Sequence, residues 1–206
     1  MDHNDLKDYI FDFAFNEALV DATRRTGAAG CKEKVLNSEA KRIIKDYADA
    51  VLRGENPCFY GTATEVENSI NEEKFTFGNT QKLLNMTIKY MYIACYNDER
   101  LRKLYASCHC PMDRRMKEKV IKQYKEETKG NKELEAVLEY KCEDGTRSKD
   151  WEKVSWSKIT KTLVSKYPEE NPYTRFQKMV LYLAKKEGLS PLEYDFKEFS
   201  STNTNA

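Results

Sequence analysis

The chain has 206 residues, 35 Lys+Arg against 34 Asp+Glu and a net charge of +1, so overall charge singles out no class of partner. Hydrophobic residues at 40% and charged residues at 33% suit a charge-rich globular protein large enough to bury a core. No apolar run approaches the roughly 18 residues that a membrane span needs, and the acidic start Met1-Asp2-His3-Asn4-Asp5 is not that of a signal peptide. The six cysteines are therefore expected as reduced thiols in a cytoplasmic protein.

Eight glycines and five prolines favour helices over a loop-rich β protein. Residues 5–25 read as a helix with Leu6, Tyr9, Ile10, Phe13 and Leu19 on its apolar face, and with Asp2, Asp5 and Asp8 near its positive end. Gly27 to Gly30 break it. Ser38 can cap a second helix over 39–52, striped by Ile43, Tyr47 and Val51 and closed by Gly54. Residues 62–72 form a third, with Val66 and Ile70 apolar. The fourth, over 79–97, is capped by Asn79 or Thr80 and is apolar on nearly every side, the mark of a central helix.

A short helical turn over 98–105 leads to the loop Cys108-His109-Cys110-Pro111-Met112, and Asp113 caps a helix over 114–127 that turns Met116, Val120 and Tyr124 inward. Residues 131–153 are the most polar stretch, with Leu134, Val137, Leu138 and Cys142 in a helix or a short strand. Ser155 can cap a helix starting at Trp156, with Ile159, Leu163 and Tyr167 on one side. Asn171-Pro172 opens another, in which Phe176, Met179, Val180, Leu183 and Ala184 recur at helical spacing before Gly188. Ser190-Pro191 starts a last short helix. The expected architecture is all-α: a single domain over 1–199, about eight helices around the 79–97 helix, with a disordered tail over 200–206.

Charge is unevenly spread. Between Lys82 and Lys125 stand 11 Lys+Arg and 4 Asp+Glu, a local charge of +7 that leaves −6 for the remainder of a +1 chain. Such a surplus suits either a polyanion site or a solvated helix face. On the central helix Lys82, Asn85 and Lys89 recur at i, i+3 and i+7, so they share one face. Buried ammonium groups are costly without partners, which points to a cleft along that face.

Two constellations carry chemistry. The first is Gly78 followed four residues on by Lys82, with Pro111-Met112-Asp113 downstream. A glycine turn lets backbone amides approach a phosphate. A lysine beside that anion site could attack a sugar C1′ while a carboxylate stabilises the developing positive charge. Burial and the neighbouring Lys89 would push the lysine toward its neutral, nucleophilic form. The alternative is an ordinary ion pair between two helices.

Gly78-Asn79-Thr80-Gln81-Lys82 with the later Pro111-Met112-Asp113-Arg114-Arg115-Met116 resembles the helix-hairpin-helix DNA glycosylases over roughly residues 62–125. The long gap between Lys82 and Asp113 is similar to that of the archaeal 8-oxoguanine glycosylase branch. Thr80 stands where a second hairpin glycine is usual. Together with Trp156-Ser157-Lys158-Ile159, the same blocks also look like a bacterial family of unassigned function.

The resemblance implies DNA repair by an N-glycosylase, with or without AP-lyase activity, acting on a base flipped from DNA. Lys82 would be its Schiff-base nucleophile and Asp113 its carboxylate. Gly78, Gln81, Asn85, Lys89, His109 and Arg114 would form the substrate-binding set, and no metal or cofactor is required. The runner-up is a non-catalytic helical module that binds nucleic acid or protein.

The second constellation, Cys108-His109-Cys110 with Cys142, has zinc-ligand chemistry but not the paired spacing of a structural zinc site. Trp156-Ser157-Lys158 reads as a packing anchor with a solvated lysine. There is no P-loop, dinucleotide fingerprint or Gly-x-Ser-x-Gly elbow.

Overall fold

Apolar residues three and four apart, with a capping side chain ahead of most periodic stretches, favour helix along nearly the whole chain. A computed structural model describes residues 3–24, 26–95 and 97–200. Asp2, the side chain of Asp5 and the tail over 201–206 lie outside the described residues. Among those described are eleven α-helices and one small antiparallel hairpin, so the chain is all-α. The excess over eight comes from short helices such as Lys32–Leu36 and Lys132–Glu135. None of the helices is long and apolar enough to cross a membrane. By the clustering of its contacts the chain divides into two compact units, Met1–Cys108 and His109–Ala206.

In the first unit, α1 (His3–Thr23), α2 (Lys32–Leu36), α3 (Ala40–Leu52), α4 (Phe59–Ile70) and α6 (Glu99–Ala106) accompany α5 (Phe77–Ala94). Helix α5 is central: it packs along α1 and against α4 and α6. Leu83, Leu84 and Ile88 are buried on it, each stabilising the fold by roughly 1.5–3 kcal/mol. Its start is Phe77, two residues before the expected one. Thr76 is the cap, and its N–H donates to Asn79 Oδ1 at 3.2 Å. Asn79 Nδ2 donates to Ala22 O at 2.8 Å, and Tyr90 Oη donates to Asp21 Oδ2 at 2.7 Å, so both ends of the contact bind α5 to α1.

The buried face of α1 matches the expected one at Leu19 but not at Leu6, Tyr9 or Phe13. Phe11, Ala14, Phe15, Ala18, Leu19 and Ala22 are buried, whereas Tyr9 is 65% and Phe13 57% exposed. Both stripes are apolar, and the chosen one carries the three alanines that let α1 lie close on α5. In α3 the expected stripe is correct: Ile43, Tyr47 and Val51 are buried. Helix α4 starts earlier than expected because the Cys58 thiol accepts the Gly61 N–H at 3.4 Å and caps it.

In the second unit, α7 (Arg114–Thr128), α10 (Pro172–Lys186) and α11 (Pro191–Ser200) pack together, α10 contacting both others. Met116, Val120 and Tyr124 of α7 and Phe176, Met179, Val180 and Leu183 of α10 are buried, as their spacing implies. Between them run α8 (Lys132–Glu135), a 3-10 turn, the hairpin β1 (Tyr140–Lys141) with β2 (Arg147–Ser148), two further 3-10 turns and α9 (Lys161–Lys166). The register pairs Tyr140 with Ser148 and Lys141 with Arg147. Gly145 closes the hairpin at φ +86°, and a Cβ there would stand 2.9 Å from the Tyr167 hydroxyl, so both backbone and space require glycine. The helix expected from Trp156 begins only at Lys161, because Thr160 rather than Ser155 caps it: the Leu163 N–H donates to Thr160 Oγ1 at 3.2 Å.

Candidate nucleic-acid interface

The sequence-predicted site residues fall in both units. Gly78, Gln81, Lys82, Asn85 and Lys89 belong to α5, while His109, Asp113 and Arg114 belong to the second unit. The expected glycine turn does not form. Gly78 is the second residue of α5 and is buried, because the Thr76–Asn79 cap starts the helix ahead of it. Gln81 Nε2 donates to the Gly78 carbonyl at 3.0 Å, and Gln81 Oε1 accepts from Asn85 Nδ2 at 3.2 Å. These amides satisfy one another along the helix. Asn85 is 2% and Lys89 8% exposed, with Lys82 half-buried, so this face is not the open wall its polarity suggested. The reason is the company they keep: a helix apolar on most sides is covered along most of its length, and α5 is exposed only near its end, at Ile93 and Ala94.

Asp113 caps α7 as expected, its Oδ1 accepting the Met116 N–H at 2.9 Å. One carboxylate oxygen therefore has a structural duty, satisfying a helix-end donor. Arg114 is exposed and donates to Glu118 Oε1 at 2.9 Å, one turn on. His109 is not among the residues of the α7 groove and is half-buried by surface area. Its Nδ1 lies 3.0 Å from the Tyr173 hydroxyl, and burial pushes its pKa down to about 4, so the ring is neutral near pH 7. Cys110 exchanges two hydrogen bonds with Gln177, donating from its N–H at 3.2 Å and accepting at its carbonyl at 2.7 Å. Among the described residues no group of three or more His, Cys, Asp or Glu is placed to hold a metal ion.

A different place in the second unit gathers the basic surplus. A groove of about 810 Å³ runs between α7 and the segment over 149–156. Arg114, Lys117, Glu118, Ile121, Lys122 and Lys125 form one wall. Their spacing puts them on the face of α7 away from Met116, Val120 and Tyr124. Lys149, Asp150, Glu152, Lys153, Val154 and Trp156 are on the other wall, with Trp151 beside them. Six cations thus face three carboxylates, a surplus of three positive charges. Two of the acids are engaged: Glu118 by Arg114, and Asp150 by Lys153 at 2.8 Å. Lys122, Lys125 and Lys149 make no ion pair among the described residues.

The far wall is held firmly by buried polar contacts. Lys117 is only 6% exposed, and its Nζ donates to the Trp151 carbonyl at 2.8 Å and the Val154 carbonyl at 2.7 Å. Burial lowers the pKa of this amine, while the two carbonyls satisfy its donors. The Trp151 indole N–H donates to the Leu138 carbonyl at 2.7 Å, and its ring meets Tyr140 edge to face at 5.0 Å. The Tyr140 hydroxyl donates to the Asp150 carbonyl at 2.8 Å. Trp151 is the buried foundation, and Trp156 is the half-buried aromatic of the wall.

Of the predicted set only Arg114 belongs to this groove. The lysines at 117, 122, 125, 149 and 153 were missed singly, although the charge surplus up to Lys125 contained the first three. The legible signal was their shared helix face, joined to a second basic stretch with two tryptophans five residues apart.

Comparison of the chain with protein-family models, with curated protein sequences and with solved structures gives no match. Function therefore rests on the residues themselves.

Proposed function

We propose that this protein is a helical nucleic-acid-binding module and that the α7 groove is its contact surface. The observation that carries this reading is the concentration of six cations against three acids in one concave groove, with Lys122, Lys125 and Lys149 not neutralised by ion pairs among the described residues. Phosphates attract such a surface without any need for base reading, and binding releases counterions. The rigid far wall, fixed by Lys117 and Trp151, keeps the two rows of amines apart in the free protein, so little ordering is needed on binding.

The test is titration of a fluorescein-labelled DNA oligonucleotide at several salt concentrations. Wild type is expected to bind, with affinity falling steeply as salt rises. The triple variant Lys122→Ala/Lys125→Ala/Lys149→Ala should bind at least tenfold more weakly, with a log–log salt slope shallower by about 2. An unchanged affinity in that variant would exclude the groove as the contact surface.

Glycosylase chemistry is a second reading, favoured by one observation: Arg114, the neighbour of Asp113, lines the groove. In it the Lys82 amine bonds to C1′ as the N-glycosidic bond breaks, the base leaves with the bonding electrons and takes up the proton the lysine gives up, and Asp113, as the resemblance implies, supplies negative charge. Borohydride trapping on DNA containing 8-oxoguanine or an abasic site tests it, since a covalent adduct must form with wild type and vanish in Lys82→Ala.

A further inference from the structure

Building on the nucleic-acid reading of the groove, we propose that its ligand is a single strand, with Trp156 as the platform on which a base stacks and the α7 cations as the row that follows the backbone. The shape supports this first. Duplex DNA is read by a convex element, a helix or ribbon that enters a groove of the DNA. Here the protein surface is concave, and about 810 Å³ is the scale of a pocket for a small ligand or a few nucleotides.

Composition supports it next. Positive grooves with aromatic side chains are the common solution for single strands, because every base has a stacking face while a duplex hides those faces inside. Along α7 the row from Arg114 to Lys125 spans about 16 Å, short for a duplex footprint and sufficient for a few phosphates. Opposite it, Trp156 is half-buried and offers apolar surface beside the buried Val154, which phosphates alone would leave unused.

Charge distribution supports it last. Glu118, Asp150 and Glu152 stand among the cations on both walls. A second strand along the far wall would meet Asp150 and Glu152, whereas one strand can follow the α7 amines, where the single acid Glu118 is paired with Arg114, and place its bases on the far wall. Lys117 acts as a positioning residue, since its bonds to the Trp151 and Val154 carbonyls fix the turn from which Trp156 follows.

The experiment compares a labelled oligothymidine strand, a duplex of the same length and heparin as a polyanion without bases. It reads affinity by anisotropy and Trp156 emission by quenching. The strand should bind at least tenfold tighter than the duplex or heparin and quench the emission. Trp156→Ala should weaken strand binding roughly fivefold to a hundredfold and leave duplex binding nearly unchanged. Trp156→Phe should restore part of the loss, and the emission of Trp151 reports in each variant whether the wall is intact. If strand, duplex and heparin bind alike, or if Trp156→Ala binds the strand as wild type does, the single-strand proposal is overturned while the groove remains an anion-binding surface. If no nucleic acid binds, the nucleic-acid reading itself fails.

Discussion

Lys82, Asn85 and Lys89 along α5, and Arg114, Lys122 and Lys125 along α7, are polar rows on two long helices, and their surroundings treat them oppositely. On α5 Asn85 and Lys89 are buried, and the Gln81 amide bonds within its own helix to Gly78 and Asn85. On α7 the row lines a groove, and Lys122 and Lys125 are exposed. The residues between the charges explain the difference. Helix α5 is apolar on most sides, so its neighbours cover most of what stands on it, Asn85 and Lys89 included. Helix α7 buries Met116, Val120 and Tyr124 with Lys117 and Ile121 beside them, and Arg114, Glu118, Lys122 and Lys125 remain exposed. A row of amines stays open to solvent only when the rest of its helix has no reason to be covered.

The contrast can be broken most forcefully at the α1–α5 contact. Phe15→Ala removes a fully buried ring and should cost about 3–5 kcal/mol of unfolding free energy in a denaturant titration. Lys122→Ala or Lys125→Ala should change the same quantity by less than about 0.5 kcal/mol while weakening nucleic-acid binding. If the α7 changes unfold the protein, its basic row is structural.

Lys117 is the exception within the groove, and Lys117→Met sharpens the comparison. It strands two carbonyls that an amine now satisfies and should cost roughly 2–3 kcal/mol. A variant as stable as wild type would mean that the far wall is held without that amine.

His109 provides a pH test of comparable size. Its pKa falls from 6.5 to about 4 on folding, so between these values the unfolded chain binds the additional proton. Stability is therefore undiminished by this group above pH 6.5 and declines as pH falls toward 4, by roughly 2–3 kcal/mol in all. His109→Gln should show a smaller decline in thermal denaturation over that window, and an identical slope in the two proteins would refute the assignment.

The smallest expected effect separates capping from chemistry at Asp113. Asp113→Ala should cost about 1 kcal/mol, whereas Asp113→Asn keeps a cap acceptor and should stay within a few tenths. If Asp113→Asn, which keeps the cap, abolished borohydride trapping as Asp113→Ala does, charge rather than capping would be the function of that carboxylate.

Much of this fold was legible before any coordinates. The i, i+3, i+4 pattern from Phe176 to Ala184, the Asn171-Pro172 start, the Asp113 cap and the Gly188 stop are local devices, each set by a few neighbouring residues and by backbone geometry. Only tertiary packing decided between the two apolar stripes of α1, because Phe13 and Phe15 are equally hydrophobic and differ only in which one has alanines around it to admit α5 closely. The same holds for the basic residues. Sequence located the charge surplus between Lys82 and Lys125, since charge is counted along the chain. Whether an amine ends buried, as Lys89 does, or lining a groove, as Lys125 does, depends on what the rest of the chain places beside it, and that is a property of packing in space.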